Sequence, residues 1–319
     1  MSLLPSVIAV FALAWCGEDP PLSTAFEVHP RAVLCVATSP DGKLVVTGSE
    51  DPIVRVFDAK DRAALRTLEG NDGDVTALAF SRDGTLLAVG DYYKKVRLWN
   101  TATWTVTRTL EVGGIVTALA FTADGKGLFI AHKDNAVSRF DLTAAEDAKP
   151  RAYTHAFEVC AMVLSADDAT LWTGDGAGTI TAWSTADGEK LWFRTQGAEV
   201  VALALFDSGK TLACGSRGTG VATFDAESGD RTSRFQAGDL EASALAVSRD
   251  GKTLFVGTRE GPVHALESLT GKDLGTIVTH DSIVTGLLVS GGGTTVVSTS
   301  RDASVRVSPW PATGSTKSE

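Results

Sequence analysis

Short apolar segments recur along the chain at nearly constant intervals, and each one mixes small and large side chains. Their last residues lie 41 to 43 residues apart. Segments without a polar face predict strands that are packed on both sides. The seven segments are VLCVATS, VTALAFS, VTALAFT, VCAMVLS, VVALALF, ASALAVS and VTGLLVS, and they end at Ser39, Ser81, Thr122, Ser165, Phe206, Ser248 and Ser290.

A turn signal follows each apolar segment, and most of these turns contain Asp and Gly. Asp supplies a side-chain acceptor and Gly tolerates a positive φ, as tight hairpin turns require. The turns occupy residues 40–42, 82–84, 123–125, 166–168, 207–209, 249–251 and 291–293. A second marker stands 18 residues after the end of every segment, at Phe57, Trp99, Phe140, Trp183, Phe224, Leu266 and Ser308. Because this offset is constant, length variation must fall in the loops beyond it, and each unit reads as an antiparallel meander.

Seven such units fill the chain, and no helical period interrupts them. A period of about 40–45 residues with four strands is the signature of a β-propeller blade. We therefore predict an all-β, seven-bladed β-propeller of four-stranded antiparallel blades over residues 22–310. Residues 311–319 form a polar tail.

The stretches SPDGKLVVTGSEDPIVRVFD and SRDGTLLAVGDYYKKVRLWN resemble WD-repeat blades. The resemblance covers roughly residues 22–310 and implies the propeller fold. It also implies a tetrad of His, Ser or Thr, Asp and Trp in each blade, and no blade has all four. Blade one offers His29, Thr47, Asp51 and Phe57, blade four offers His155, Thr173, Ala177 and Trp183, and blade seven offers His280, Ser298, Asp302 and Ser308.

A closed ring also needs a partner for the last blade, because an open propeller exposes a sheet edge. The segment LSTAFEVH, from Leu22 to His29, resembles RTLEGND and RTLEVGG, which precede later blades. We predict that this N-terminal segment forms the outer strand of the last blade, beside Val305 to Val307.

Charge and cysteine content narrow the function classes. With 29 Lys and Arg against 39 Asp and Glu, the net charge of −10 opposes generic binding to nucleic acid or anionic lipid. The four cysteines are far apart, and the five histidines show no ligand spacing. We therefore predict no metal, no cofactor, no nucleic-acid partner and no membrane span.

The first residues contain an apolar run from Leu3 to Ala14 that ends in an Ala-Leu-Ala cleavage pattern. It has the length of a signal-peptide core and is too short to span a bilayer. Residues 1–14 are thus a candidate signal peptide for a periplasmic or extracellular protein. The alternative is an apolar arm packed on the fold of a cytoplasmic protein.

One element resembles a different propeller family. WSTADGEKLWF, Trp183 to Phe193, is similar to an element of quinoprotein-type propellers, which bind calcium and a quinone. This chain has one good copy and no adjacent cysteines, so a structural contact between blades is favoured.

The most informative surface positions lie seven residues before each second marker. In WD-repeat propellers this loop, between the second and third strands, points to one common face. The resulting ring positions are Glu50, Tyr92, Lys133, Gly176, Arg217, Arg259 and Arg301. Clustered arginines with aromatic neighbours are typical of surfaces that recognise an acidic peptide or a phosphate-bearing partner. The predicted partner-binding residues are Tyr92, Tyr93, His132, Lys133, Arg217, Arg259 and Arg301.

Two hypotheses follow for function. The first is a non-catalytic, monomeric interaction platform that binds a protein or peptide, with an acidic one favoured, on this loop face. The alternative is an exported propeller enzyme of quinoprotein or hydrolase type that uses the central funnel. A further alternative concerns the arginines alone: Arg259 and Arg301 precede Glu260 and Asp302, and each could simply pair with its neighbour.

Overall fold

A computed structural model describes residues 24–25, 29–145, 147–235, 240–290 and 293–310. Over these residues the chain forms seven four-stranded antiparallel sheets, one for each unit of the sequence repeat. The predicted seven-bladed β-propeller is thereby confirmed. Each sheet runs from an inner strand to an outer strand in chain order, except that the last one takes its outer strand from the N-terminal side of the chain.

The strand bounds follow the repeat closely. The strand β1 (Thr24–Ala25) precedes the first blade. Blade one contains β2 (Val33–Thr38), β3 (Leu44–Ser49), β4 (Asp51–Asp58) and β5 (Ala64–Leu68). Blade two contains β6 (Val75–Phe80), β7 (Leu86–Asp91), β8 (Lys95–Asn100) and β9 (Thr105–Glu111). Blade three contains β10 (Val116–Phe121), β11 (Gly127–His132), β12 (Ala136–Asp141) and β13 (Arg151–Thr154).

The remaining blades repeat the same plan. Blade four contains β14 (Val159–Leu164), β15 (Thr170–Asp175), β16 (Thr179–Ser184) and β17 (Lys190–Thr195). Blade five contains β18 (Val200–Phe206), a short 3-10 turn (Asp207–Gly209), β19 (Thr211–Ser216), β20 (Gly220–Asp225) and β21 (Arg231–Phe235). Blade six contains β22 (Ala242–Val247), β23 (Thr253–Thr258), β24 (Pro262–Glu267) and β25 (Asp273–Thr279). Blade seven contains β26 (Val284–Ser290), β27 (Thr295–Ser300) and β28 (Val305–Pro309).

The turn after each inner strand is closed by side chains. In blade one the Ser39 hydroxyl donates to Asp41 Oδ1 (2.6 Å), and the Leu44 N–H donates back to Ser39 Oγ (2.9 Å). The hydrogen bond from Ser39, aided by the Lys43 N–H, lowers the pKa of Asp41 to about 2. The same hydroxyl-to-Asp bond closes the turn in blades two, three, four and six.

The hydrophobic core lies between neighbouring blades rather than in one central mass. Between blades one and two, for example, Val46 and Val54 pack against Val75, Leu87 and Trp99. The second markers of the repeat all lie on the third strand of their blade and are 0 to 8 % exposed. Blade-to-blade burial of these side chains therefore holds the ring together.

Every inner strand carries a β-bulge after its first residue. The extra residue in each bulge is Leu34, Thr76, Thr117, Cys160, Val201, Ser243 or Thr285. In three blades its hydroxyl donates to a backbone carbonyl of the next blade: Thr117 to Val159 (2.7 Å), Ser243 to Val284 (2.6 Å) and Thr285 to Val33 (2.6 Å). The bulge thus turns a side chain toward the neighbouring blade.

Blade seven packs directly against blade one. Val33, Val45 and Phe57 share a buried cluster with Val297 and Val305. The strand β1 lies on the outer side of β28, with Thr24 paired with Val307 and Ala25 with Arg306. The rest of the predicted closing segment, apart from His29, lies outside the described residues, as do the candidate signal peptide 1–14 and the tail 311–319. In the described part of the chain, no helix is long and apolar enough to cross a membrane.

Candidate interaction face

The seven ring positions are structurally equivalent. At each one the backbone N–H donates to the carbonyl of the residue 18 positions earlier, just before the inner strand of the same blade. All seven loops therefore meet one face of the propeller, which we call the loop face. The donors are Glu50, Tyr92, Lys133, Gly176, Arg217, Arg259 and Arg301, and the acceptors are Ala32, Asp74, Ile115, Glu158, Glu199, Glu241 and Ile283, at 2.9 to 3.0 Å.

Each basic ring residue is paired with a carboxylate. Within their own blades, Arg217 contacts Glu199 (3.0 Å) and Arg259 contacts Glu241 (3.1 Å). The other two pairs join neighbouring blades: Lys133 contacts Glu158 of blade four (3.4 Å), and Arg301 contacts Glu50 of blade one (3.6 Å). The acids next in sequence to Arg259 and Arg301 are thus not the ones that these arginines contact.

The ion pairs leave the loop face with mixed charge rather than a positive arc. The side chains of Arg217 and Arg301 are 52 and 51 % exposed. Ion pairs this exposed contribute little to stability because water screens them and flexible side chains must be held in place. Breaking these ion pairs therefore costs little free energy.

Aromatic side chains share this face. The side chains of Tyr92 and Tyr93 are both exposed. Their rings pack edge to face, with 5.9 Å between the ring centroids. The Tyr93 ring lies directly over Gly73, where a Cβ atom would collide with it. The exposed Phe157, next to Glu158, was missed by the sequence reasoning. Phe157 lies in the loop that joins the outer strand of blade three to the inner strand of blade four, and such loops reach the same face as the ring positions. An aromatic residue in one of these otherwise polar loops is the sequence signal that identifies it.

His132 does not reach the surface, although it was predicted among the partner-binding residues. It is 2 % exposed, its Nε2 lies 2.9 Å from the Ser138 hydroxyl, and its Nδ1 contacts Asp134. It is the last residue of β11, and its side chain is buried in the blade. Its contact with Asp134 anchors the loop that follows β11. The other six predicted residues lie at or beside ring positions.

The tetrad positions have a structural role in blades one and seven. In blade one His29 lies 2.9 Å from Thr47 Oγ1, and Arg55 is inserted between His29 (3.1 Å) and Asp51 (3.0 Å). Burial, followed by the charge of Arg55, lowers the pKa of His29 to about 4.

Blade seven has a more complete arrangement. His280 lies between the Ser298 hydroxyl (2.7 Å) and the Asp302 carboxylate (3.1 Å). Burial opposes the charge of Asp302, yet hydrogen bonds from Ser304 and from the Asp281 N–H lower its pKa to about 2. Ser308, at the aromatic position, is buried, and its hydroxyl has no hydrogen-bond partner among the residues that the structure describes. These hydrogen bonds fasten the loops to the blades.

The element that resembles quinoprotein-type propellers joins blades four and five. The Trp192 indole N–H donates to the carbonyl of Ala226 in blade five (3.2 Å), and the Trp172 indole donates to the same oxygen (3.3 Å). This is the structural contact that the sequence favoured. Over the residues whose placement is described, no group of three or more His, Cys, Asp or Glu side chains could hold a metal ion.

Comparison with known proteins agrees with this architecture. Residues 20–58 and 62–100 match the sequence family described as WD domain, G-beta repeat. The chain is 32 % identical over 170 residues to the small ribosomal subunit protein RACK1y of Oryza sativa subsp. japonica, covering 51 % of this chain and 50 % of that protein. It is 29 % identical over 143 residues to WD repeat-containing protein VIP3 of Arabidopsis thaliana, covering 40 % of this chain and 44 % of that protein.

Two further matches extend the comparison. The periodic tryptophan protein 2 homolog of Schizosaccharomyces pombe is 34 % identical over 102 residues, covering 31 % of this chain and 12 % of that protein. Residues 137–305, more than half of the chain, match the family described as outer membrane protein assembly factor BamB. The chain belongs to the WD-repeat β-propellers and, through blades three to seven, to the BamB family. This WD-repeat chain spans half or less of the length of these curated relatives.

Proposed function

We propose that this WD-repeat propeller is a non-catalytic platform that binds a protein or peptide on its loop face. The observation that carries the proposal is the ring itself, in which one backbone hydrogen bond per blade brings seven residues of differing type to one surface. Relatives described as a ribosomal subunit protein and an assembly factor support a role in association with other proteins. A charge of −10 continues to argue against nucleic acid as the direct partner.

The partner that fits this surface carries carboxylates and an apolar group. Its carboxylates replace Glu199, Glu241 and Glu50 as the acceptors for Arg217, Arg259 and Arg301. Arginine suits this exchange because its planar guanidinium carries donors that match both oxygens of a carboxylate. The apolar group packs on Tyr92 and Tyr93, whose rings are rigid and exposed.

Two triple variants test the proposal because both break the same three ion pairs. Arg217→Gln/Arg259→Gln/Arg301→Gln removes the cations, and Glu50→Gln/Glu199→Gln/Glu241→Gln removes the competing carboxylates. Each is used with wild type for affinity capture from native extract, after thermal unfolding has shown that both are folded. We expect the arginine variant to lose the partner and the glutamate variant to bind it more tightly. Equal recovery with all three proteins, or loss with both variants, would contradict recognition through the arginines.

The enzyme alternative has less support. Its sequence basis, Trp183 to Phe193, is accounted for by the bonds to Ala226. The family that covers this element is described as an assembly factor rather than an enzyme. Export through residues 1–14 stays a prediction and is compatible with the proposed platform.

A further inference from the structure

A second surface feature lies on the opposite face, which we call the turn face because it carries the turns after the inner strands. A cleft of about 1060 Å³ opens there across blades four, five and six. Its rim is formed by the turns of these blades and by the turn between the third and outer strands of blade five, and none of its residues belongs to the ring positions. Its volume matches sites that bind peptides or small molecules.

The cleft lies at the turn of blade five, which lacks the hydroxyl-to-Asp bond that closes the turns of blades one, two, three, four and six. In blade five, Phe206 stands where blades four and six have Ser165 and Ser248, and its ring turns into the core. The chain then reverses through Asp207 and Ser208 with φ values of 50° and 55°, which non-glycine residues rarely adopt. Such a backbone conformation costs free energy, and it is concentrated at active sites and ligand-binding sites.

The floor and one wall of the cleft are apolar. The ends of three inner strands, including Leu164, Leu205 and Val247, contribute side chains, and Trp172 lies beneath them. Leu191, on the outer strand of blade four, is 54 % exposed at the edge of the cleft. The two indole bonds to Ala226 keep the floor rigid, so the cleft is formed before any ligand arrives.

The rim is negatively charged, and two of its carboxylates are not engaged by other described residues. Asp167, Asp207, Glu227 and Asp250 line the cleft, with Arg249 as the single basic lining residue. Asp167 is engaged by Ser165 and by the Ala169 N–H. By contrast, the carboxylates of Asp207 and Glu227 form no hydrogen bond or ion pair with any part of the chain that the structure describes. A rim of this kind attracts cationic groups, and the low-dielectric floor strengthens that attraction.

We propose that the turn-face cleft binds a peptide segment in which lysine or arginine alternates with apolar side chains. The apolar side chains fill the floor beside Leu191, and the basic side chains reach Asp207 and Glu227. This partner differs in charge from the one proposed for the loop face. The propeller would therefore join two partners on opposite faces.

Three synthetic hexapeptides of sequence KLRLKL, KSRSKS and ELDLEL serve as probes in calorimetric titrations of the full chain. We expect KLRLKL to bind saturably, KSRSKS more weakly and ELDLEL not at all. The variant Asp207→Asn/Glu227→Gln should weaken KLRLKL binding by about tenfold, as the loss of charge-assisted hydrogen bonds implies. The effect should shrink at high salt because exposed charges are screened.

The matched control is Glu69→Gln/Asp147→Asn, which removes the same number of charges from exposed side chains that do not line the cleft. It should bind KLRLKL as wild type does, and Leu191→Asn should bind it less tightly. Equal binding of KLRLKL by the cleft and control variants would overturn the proposal, as would saturable binding of ELDLEL or no saturable binding of KLRLKL. The loop-face variants leave this cleft intact, so the two proposals fail or succeed separately.

Discussion

His155, before the inner strand of blade four, holds its imidazole against the Trp183 ring with 5.1 Å between centroids. Its Nε2 is buried and has no hydrogen-bond partner within the described part of the chain. Burial, followed by the nearby charge of Lys190, lowers the pKa of His155 to about 4. The folded state therefore keeps this imidazole neutral, whereas the unfolded chain protonates it near pH 6.5.

This difference predicts an acid-dependent loss of stability. The contribution of a neutral His155 is complete above pH 6.5 and is lost as the pH falls toward 4, at up to about 1.4 kcal/mol per pH unit. His29 adds a loss of the same sign over the same range. We expect His155→Phe to flatten the dependence of the unfolding free energy on pH, measured by urea titration between pH 4 and pH 8. Parallel curves for wild type and variant would show that His155 is already accessible to protons in the fold.

The ring residues show what a repeat can and cannot predict about single side chains. The constant spacing correctly predicted that Arg217 and Arg301 occupy equivalent positions. Their carboxylate partners were not predicted, and for Arg301 the adjacent Asp302 was the wrong acid. The Arg217 N–H donates to the Glu199 carbonyl, which is the 18-residue hydrogen bond found at every ring position. The same hydrogen bond brings the Glu199 carboxylate next to the Arg217 guanidinium. Glu50 belongs to the next blade, so only the closed ring brings it to Arg301.

At the level of strands, the hydroxyls at the bulge positions predict that removing one of them costs more stability where it bonds to the next blade than where it bonds within its own blade. The Thr117 hydroxyl crosses to the Val159 carbonyl of blade four (2.7 Å), whereas the Thr76 hydroxyl bonds within its own blade to Gly90 (3.3 Å). Thr117→Val leaves a buried carbonyl of the next blade without its donor, at a cost of about 1 kcal/mol. Thr76→Val, at the same bulge position, should cost less.

Chemical denaturation of the two valine variants beside wild type compares these costs. Equal losses of stability would mean that the bond between blades adds nothing beyond a hydroxyl bond within one blade. The sequence predicted the strands well because their apolar pattern repeats. It did not predict the bulge, because the bulged residue varies in type, from Leu34 and Val201 to Thr117 and Ser243.

For the whole molecule, the two faces carry different chemistry on one scaffold. The loop face alternates cations with carboxylates, and the turn face has an apolar cleft with an acidic rim. The amino-acid composition predicted only the net charge of the chain. It could not predict how the charges are divided between the two faces. The cleft could not be predicted because it depends on a conformation, the left-handed pair Asp207 and Ser208, that replaces an expected tight turn.

Closure of the ring supplies the last prediction. Over the residues whose placement is described, the outer strand of blade seven consists of Thr24 and Ala25, which pair with Val307 and Arg306 of β28. A chain that begins at residue 29 leaves β28 as an exposed edge with unpaired backbone groups, whereas a chain that begins at residue 22 keeps the pairing. We expect the shorter chain to lose about 1–3 kcal/mol of stability and to aggregate more readily. Thermal unfolding and light scattering of both truncations measure these effects. If the two chains melted together and stayed equally soluble, the packing of blade seven on blade one, through Val33, Phe57 and Val305, would be enough to close the ring.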